Sequence, residues 1–202
     1  MMTTTMWSNY HDRFDDDRLP QRFTDILEHL RSAQISSLLE IGGNQGLLCR
    51  ALKHIRPELK VTCTDPDEIA IDKGFCDNEK TSHSINWAVL NPFYAESHIS
   101  EDEPVRRFRS DVVVALALTH HLVLSQGLSL GRVLDVISEY AGKFVYIEFM
   151  PLGLHDGMTG HPVPSWYTVD WFQHEFEARF TLMEKMPLEE NRLLFIGIKH
   201  AG

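Results

Sequence analysis

The stretch Leu38 to Gly46, LLEIGGNQG, decides how this chain folds. The short apolar segment Ser37 to Ile41, SLLEI, runs into a turn bearing Gly42, Gly43 and Gly46. The following LLCRALKHI repeats its apolar residues at helical spacing until Pro57 stops it. Strand, glycine turn and helix form the opening unit of a parallel sheet. Glycines let the backbone turn tightly and approach a ligand, and the first amides of the helix offer donors to that ligand's polar groups. Such a turn also serves packing alone, so its meaning depends on what surrounds it.

Upstream, LPQRFTDILEHLRSAQ (19–34) places Phe23, Ile26, Leu27 and Leu30 at helical spacing and predicts an amphipathic helix covering a sheet face. Downstream, LKVTCTD reads as a strand, PDEIAIDKGF as a helix, and SINWAVLNP and DVVVALAL as strands. LSLGRVLDVISEYAG then reads as a helix and KFVYIEF as a strand. Strand alternating with helix builds a parallel sheet with helices on both faces. The end differs. YTVDWFQHEFEARF predicts a helix with Trp171, Phe172, Phe176 and Phe180 inward. FTLMEKMPL and RLLFIGIKH, joined through a short polar turn, predict a hairpin that sets one terminal strand antiparallel. Seven strands are expected, six of them parallel.

The 202 residues, 43% of them hydrophobic, suffice for one core, with an N-terminal arm over 1–18 and a single domain over 19–202. With 29 acidic against 19 basic residues the net charge is −10, which sets a nucleic-acid phosphate backbone against net repulsion. The basic cluster Arg106, Arg107 and Arg109 reads as a solvated loop face. Cys49, Cys63 and Cys76 form no CxxC pair and no metal spacing, and their odd number argues against a disulfide framework, so a reducing cytoplasm fits and no metal is expected. No apolar run is long enough to span a membrane, and MMTTTMWSNYHDRFDDDR lacks the apolar core of a signal peptide.

Asp65 gives the glycine turn its meaning. It closes the second strand 19 residues past Gly46, where a carboxylate in a doubly wound sheet accepts both hydroxyls of a ribose. A nucleoside-bearing cofactor follows. A dinucleotide fingerprint requires glycine where Asn44 stands, and no second substrate domain follows, which disfavours a nicotinamide-dependent oxidoreductase. The expected protein partner is a further domain or a second copy in a homodimer. The other rival is a non-catalytic domain retained as an interaction module, such as the front part of a longer enzyme. The set Glu40, Gly42, Gly46 and Asp65 argues against it.

These residues resemble the class I S-adenosylmethionine-dependent methyltransferases over about residues 20–200. EIGGNQG is similar to their first motif, with Asn44 for the middle glycine, and CTD to their second. LNPFY, DVVVALALTHHLVLSQGLSLGRVLDVI, YIEFMP and YTVDWF, in that order, resemble bacterial nodulation-type methyltransferases and the methyltransferase part of O-antigen-capping enzymes. The resemblance implies a Rossmann-like three-layer α/β sandwich with strand order 3-2-1-4-5-7-6, strand 7 antiparallel, and S-adenosyl-L-methionine as cofactor. It implies Glu40, Gly42, Gly43, Asn44 and Gly46 near the cofactor's methionine end. Asp65, with Pro66 beside it, then falls on the ribose, and Leu90 or Asn91 by the adenine. The acceptor it implies is a small molecule or a glycan, methylated on an oxygen. Asn91 to Tyr94, NPFY, resembles the motif of amino-group methyltransferases, but it follows the third strand rather than the fourth and lacks the second proline.

His120 and His121 fall just past the fourth strand, on the ligand side of such a sheet. Histidine titrates in the range useful for deprotonating a hydroxyl, so either one is a candidate base or acceptor orienter. In an extended segment neighbouring side chains point opposite ways, so one should face the cleft and the other turn away. Glu148, in YIEF at the end of the fifth strand, is expected to be buried and to meet a histidine or an acceptor hydroxyl. The loop with His155, Asp156, His161 and Trp166, and Trp7, Tyr10 and Arg13 of the arm, are candidate covers for the site.

Overall fold

Residues 7–14, 19–79, 84–94, 104–153 and 162–200 are described by the computed structural model. Five strands carry the parallel part of the sheet: β1 (Ser37–Ile41), β2 (Lys60–Asp65), β3 (Ile85–Val89), β4 (Ser110–Ala115) and β5 (Ala141–Phe149). Strands β6 (Phe180–Glu189) and β7 (Arg192–Lys199) form the terminal hairpin. Asn191 turns it with φ 83°, the left-handed conformation a tight hairpin needs. The order is β3-β2-β1-β4-β5-β7-β6, and β7 runs antiparallel to both β5 and β6. The predicted topology is the observed one.

Alternation along each strand divides the core into two layers. Val112 and Val114 of β4 pack with Leu38, Val61 and the inward residues of α1 (Gln21–Ser32) and α2 (Leu47–Ile55). Val113 and Ala115 pack on the opposite face with Leu39, Val145 and Ile147, against α5 (Leu130–Tyr140) and α6 (Val169–Glu177). Both faces of β4 are therefore dry, which is why its sequence is a continuous apolar run and not an alternating one. In α1 the predicted Phe23, Ile26, Leu27 and Leu30 are the buried stripe. In α6, Phe172 and Phe176 are fully buried while Trp171 is partly exposed, and Phe180 already belongs to β6.

Caps set the helix starts. Asp67 accepts from the amides of Ile69 and Ala70 at the head of α3 (Glu68–Asn78), Ser129 from Arg132 at α5, and Thr168 from Trp171 at α6. A short helix, α4 (Pro104–Phe108), carries Arg106 and Arg107, which the sequence placed in a loop. Among the described residues no helix is long and apolar enough to cross a membrane.

Candidate active site

Order 3-2-1-4-5 reverses direction between β1 and β4, and ligands of open parallel sheets bind outside the strand ends at such a point. On one side stands the glycine turn, where Gly42, Asn44 and Gly46 all have left-handed φ, at 73°, 51° and 66°. Opposite it lies Leu118. A Cβ on Gly42 would stand 3.4 Å from Leu118 Cδ1, an ordinary van der Waals contact, so the glycine turn and Leu118 border a narrow gap. At Gly46 a Cβ would come within 2.5 Å of Trp87 Cη2. Replacing Gly46 with Ala adds left-handed strain to that overlap and should cost about 2–4 kcal/mol, read as a lower urea midpoint.

Asp65 is tied to the turn. Its Oδ2 accepts from the Asn44 amide at 2.8 Å and its Oδ1 from the Asp67 amide at 2.8 Å, while the Gly42 and Gly43 amides donate to the Thr64 carbonyl. Burial pushes the Asp65 carboxyl above its usual range, the two amide donors pull it back, and neighbouring Asp67 pushes it up again. Pro66, next in sequence, is exposed. The Leu90 amide bonds the Asp65 carbonyl at 3.1 Å, which holds the end of β3 beside the carboxylate. The Asn91 Oδ1 is occupied locally, accepting from the Phe93 amide at 3.2 Å.

Glu40 lies beneath the turn. It is 4% exposed, the Cys49 thiol donates to its Oε2 at 2.9 Å, and a Cβ on Gly43 would meet its carboxyl at 3.0 Å and the Cys63 sulfur at 2.6 Å. Glu40, Cys49 and Cys63 bring their ligand-type atoms within 4.8 Å of one another, sealed under backbone. Burial pushes the Glu40 carboxyl up to about 7, and Asp65 adds to the rise. The folded state thus holds a proton that the unfolded chain releases near 4.5, and stability is lost as pH rises from 4.5 to 7. Glu40→Gln removes this loss. Its stability relative to wild type should climb by about 1.4 kcal/mol per pH unit across that window, roughly 3 kcal/mol in all, measured by urea unfolding at each pH.

Past β4 the chain reverses at Ala117, φ 49°, and enters a helical segment whose π-helical turn spans His121–Ser125. The two histidine rings consequently lie together, centroids 4.0 Å apart and planes 41° from each other, and do not point to opposite sides as an extended segment would require. Their exposure still differs. His120 is 2% exposed, and its Nδ1 has no hydrogen-bond partner among the described residues. His121 is half-buried and sets its ring 5.0 Å from that of Trp7. Burial, then His121 and Arg192, push His120 down to about 3, and burial also lowers His121.

Among the described residues Glu148 bonds no histidine, and it is closed off from the cleft. It is 0% exposed, and its Oε2 accepts from Arg192 Nη1 at 2.8 Å and from the Ala117 amide at 2.5 Å. Thr119 Oγ1 donates to its carbonyl at 2.9 Å. The carboxylate thus clamps the reversal that presents the histidines. Arg192 comes from the terminal hairpin, and only the β5–β7 pairing brings it there.

The arm supplies contacts that sequence reading missed. Asn44 Nδ2 donates to the Trp7 carbonyl at 2.9 Å, and Gln45 Nε2 to the Ser8 carbonyl at 3.1 Å and to Asp12 Oδ1 at 2.6 Å. Ser8 Oγ donates to Asp67 Oδ2 at 2.6 Å, and Lys73 pairs with Asp12 at 3.0 Å. Two amide side chains, Asn44 and Gln45, where small residues would serve the turn were the available signal. His155, Asp156, His161 and the Arg13 side chain lie outside the described residues.

No family model matches the sequence, and no curated protein matches it. Solved structures do. The N-methyltransferase NodS from Bradyrhizobium japonicum aligns with a TM-score of 0.61 at 16% identity, over 88% of this chain and 94% of NodS. Magnesium protoporphyrin IX methyltransferase ChlM from Synechocystis, solved with S-adenosylmethionine bound, gives 0.63 at 8% identity, over 99% and 87% of the two chains. A Pyrococcus horikoshii protein gives 0.67 at 12%, over 95% and 99%. Identities this low establish the fold: it is that of the class I methyltransferases, and a nodulation-type enzyme is among the structures that share it.

Proposed function

We propose that this chain is an S-adenosyl-L-methionine-dependent methyltransferase that methylates an oxygen of a small molecule or of a glycan, on a sugar or a phosphate. The observation that carries the reading is the direct bond between Asp65 and the Asn44 amide. It sets an acidic acceptor and a left-handed glycine turn side by side at the switch point. The residues fit the cofactor. Each Asp65 oxygen accepts one backbone bond and keeps lone-pair capacity for a ribose hydroxyl, and the Leu90 amide bonds the Asp65 main-chain carbonyl, which holds the chain after β3 against the end of β2. When bound, the cofactor supplies an activated methyl on a sulfonium.

What remains for the protein is positioning, exclusion of water and handling of the acceptor proton. His121, half-buried at the mouth of the gap, orients the acceptor or takes its proton. His120 is held neutral by burial and packs against His121, which fixes that ring. Glu148 and Arg192 act one step back by clamping the Ala117 reversal. An oxygen acceptor is favoured over an amine because Asn91 to Tyr94 follows β3 and not β4, and the Asn91 amide oxygen is engaged in its own turn.

The test is a labelled-methyl screen over sugars, phosphates, small hydroxylated metabolites and amines. Label in an oxygen acceptor, reduced at least tenfold by His121→Ala with cofactor binding kept, supports the assignment. Label in amines alone overturns the oxygen reading.

A further inference from the structure

Residues 7–14 contact three sides of the gap: the glycine turn, the start of α3 and the segment beyond β4. Trp7 and Ser8 take hydrogen bonds from Asn44 and Gln45 of the glycine turn, Ser8 gives one to Asp67 behind the ribose carboxylate, Asp12 pairs with Lys73 of α3, and the Trp7 ring meets that of His121 beyond β4. A segment that served packing alone would need one of these walls. Asn44 points to a ligand in addition. Its amide nitrogen is committed to the Trp7 carbonyl, which fixes the orientation of the amide, and its buried Oδ1 has no hydrogen-bond partner among the described residues. A buried acceptor left unpaired is costly, and a donor delivered by a bound ligand satisfies it.

Resting on the cofactor reading above, we infer that the Trp7–Phe14 arm is a wall of the cofactor site, latched by Asn44 and Gln45, with Asn44 as a further binding residue that accepts a hydrogen bond from the cofactor. Asn44, the departure from the commoner glycine, then has a reason: its side chain nitrogen holds the latch. Trp7 spans from the glycine turn to His121, so the cofactor leaves only when the arm lifts.

The latch makes the arm a control on dissociation. Stopped-flow displacement of S-adenosylhomocysteine from the full chain tests it with Asn44→Gly and Trp7→Ala. Asn44→Gly is informative because glycine accepts the left-handed φ of 51° at that position and deletes only the side chain. Each variant should release the ligand at least tenfold faster than wild type, and the double variant should be less than multiplicative, because both changes open one latch. Ser8→Ala, which removes the hydroxyl's bond to Asp67 and keeps the carbonyl that Gln45 bonds, should give a smaller acceleration of the same sign. Wild-type binding with variant release rates within twofold overturns the latch while leaving the cofactor assignment standing. Absence of wild-type binding overturns the cofactor assignment and the latch with it.

Discussion

Replacing Asp65 with Ala is expected to weaken S-adenosylhomocysteine binding by about a hundredfold, or roughly 2.7 kcal/mol. Hydrogen bonds to a charged acceptor contribute about 1.5–3 kcal/mol each, and this carboxylate has capacity for two ribose hydroxyls. The substitution also frees the Asn44 and Asp67 amides that Asp65 now accepts, which loosens the turn from below. Asp65→Asn separates the two effects: it keeps one acceptor oxygen and the shape, and should lose about tenfold. Calorimetric titration of both variants, with far-ultraviolet circular dichroism to verify the fold, reads the result. Affinities within threefold of wild type for both would remove Asp65 from the site. His121→Ala should weaken cofactor binding much less than Asp65→Ala, because we place His121 on the acceptor side, where it meets the arm through the Trp7 ring.

The second large effect is on stability. Arg192→Met leaves Glu148, which is 0% exposed, without the guanidinium 2.8 Å from its Oε2. Breaking a buried ion pair by removing one partner costs about 3–5 kcal/mol, because the remaining charge is neither hydrated nor compensated. In a protein of this size that lowers the melting temperature by roughly 10 °C. The double variant Arg192→Met with Glu148→Gln should recover much of the loss, since it buries no uncompensated charge, while Gln retains an acceptor for the Ala117 amide. If the single and double variants melt together, the pair does not hold the reversal after β4.

How far the sequence carries can be judged at these same residues. β1, the glycine turn and α2 were legible because local signals coincide there: an apolar run, three glycines, helical spacing and then Pro57. The alternation of strands and helices made the parallel sheet legible and the short polar turn flagged the hairpin, while the strand order followed from the resemblance to the class I S-adenosylmethionine-dependent methyltransferases. The region after β4 was not legible. Nothing in LALTHH marks Ala117 for positive φ, since alanine is not a turn former. The left-handed reversal is imposed by Glu148 taking the Ala117 amide, a contact across two strands. An extended reading therefore set the histidine rings on opposite sides, and the helical turn brings them together at a tilt. Arg192 was invisible for a related reason: its partner lies 44 residues away and is reached only through the register of an antiparallel pair. The arm carries no periodicity, and its contacts depend on side chains from the glycine turn and α3 meeting it in space.

Glu40 separates a motif position from a contact. The resemblance sets it at the acidic position of the first motif, yet the side chain lies under Gly43 with Cys49 and Cys63 and supports the turn from beneath. Its influence on a ligand is then indirect, through the turn's shape. The rise of stability of Glu40→Gln over wild type with increasing pH reports that burial independently of any ligand.

The central claim, that the gap between the glycine turn and the β4 tip holds S-adenosyl-L-methionine, is tested most directly by isothermal calorimetry of the full chain. S-adenosylmethionine and S-adenosylhomocysteine, with NAD and NADP alongside, are the ligands. One-to-one binding of the two sulfur nucleosides, lost in Asp65→Ala, with no heat from the dinucleotides, is the predicted result. Binding of NAD or NADP, or no binding by either sulfur nucleoside, would contradict it.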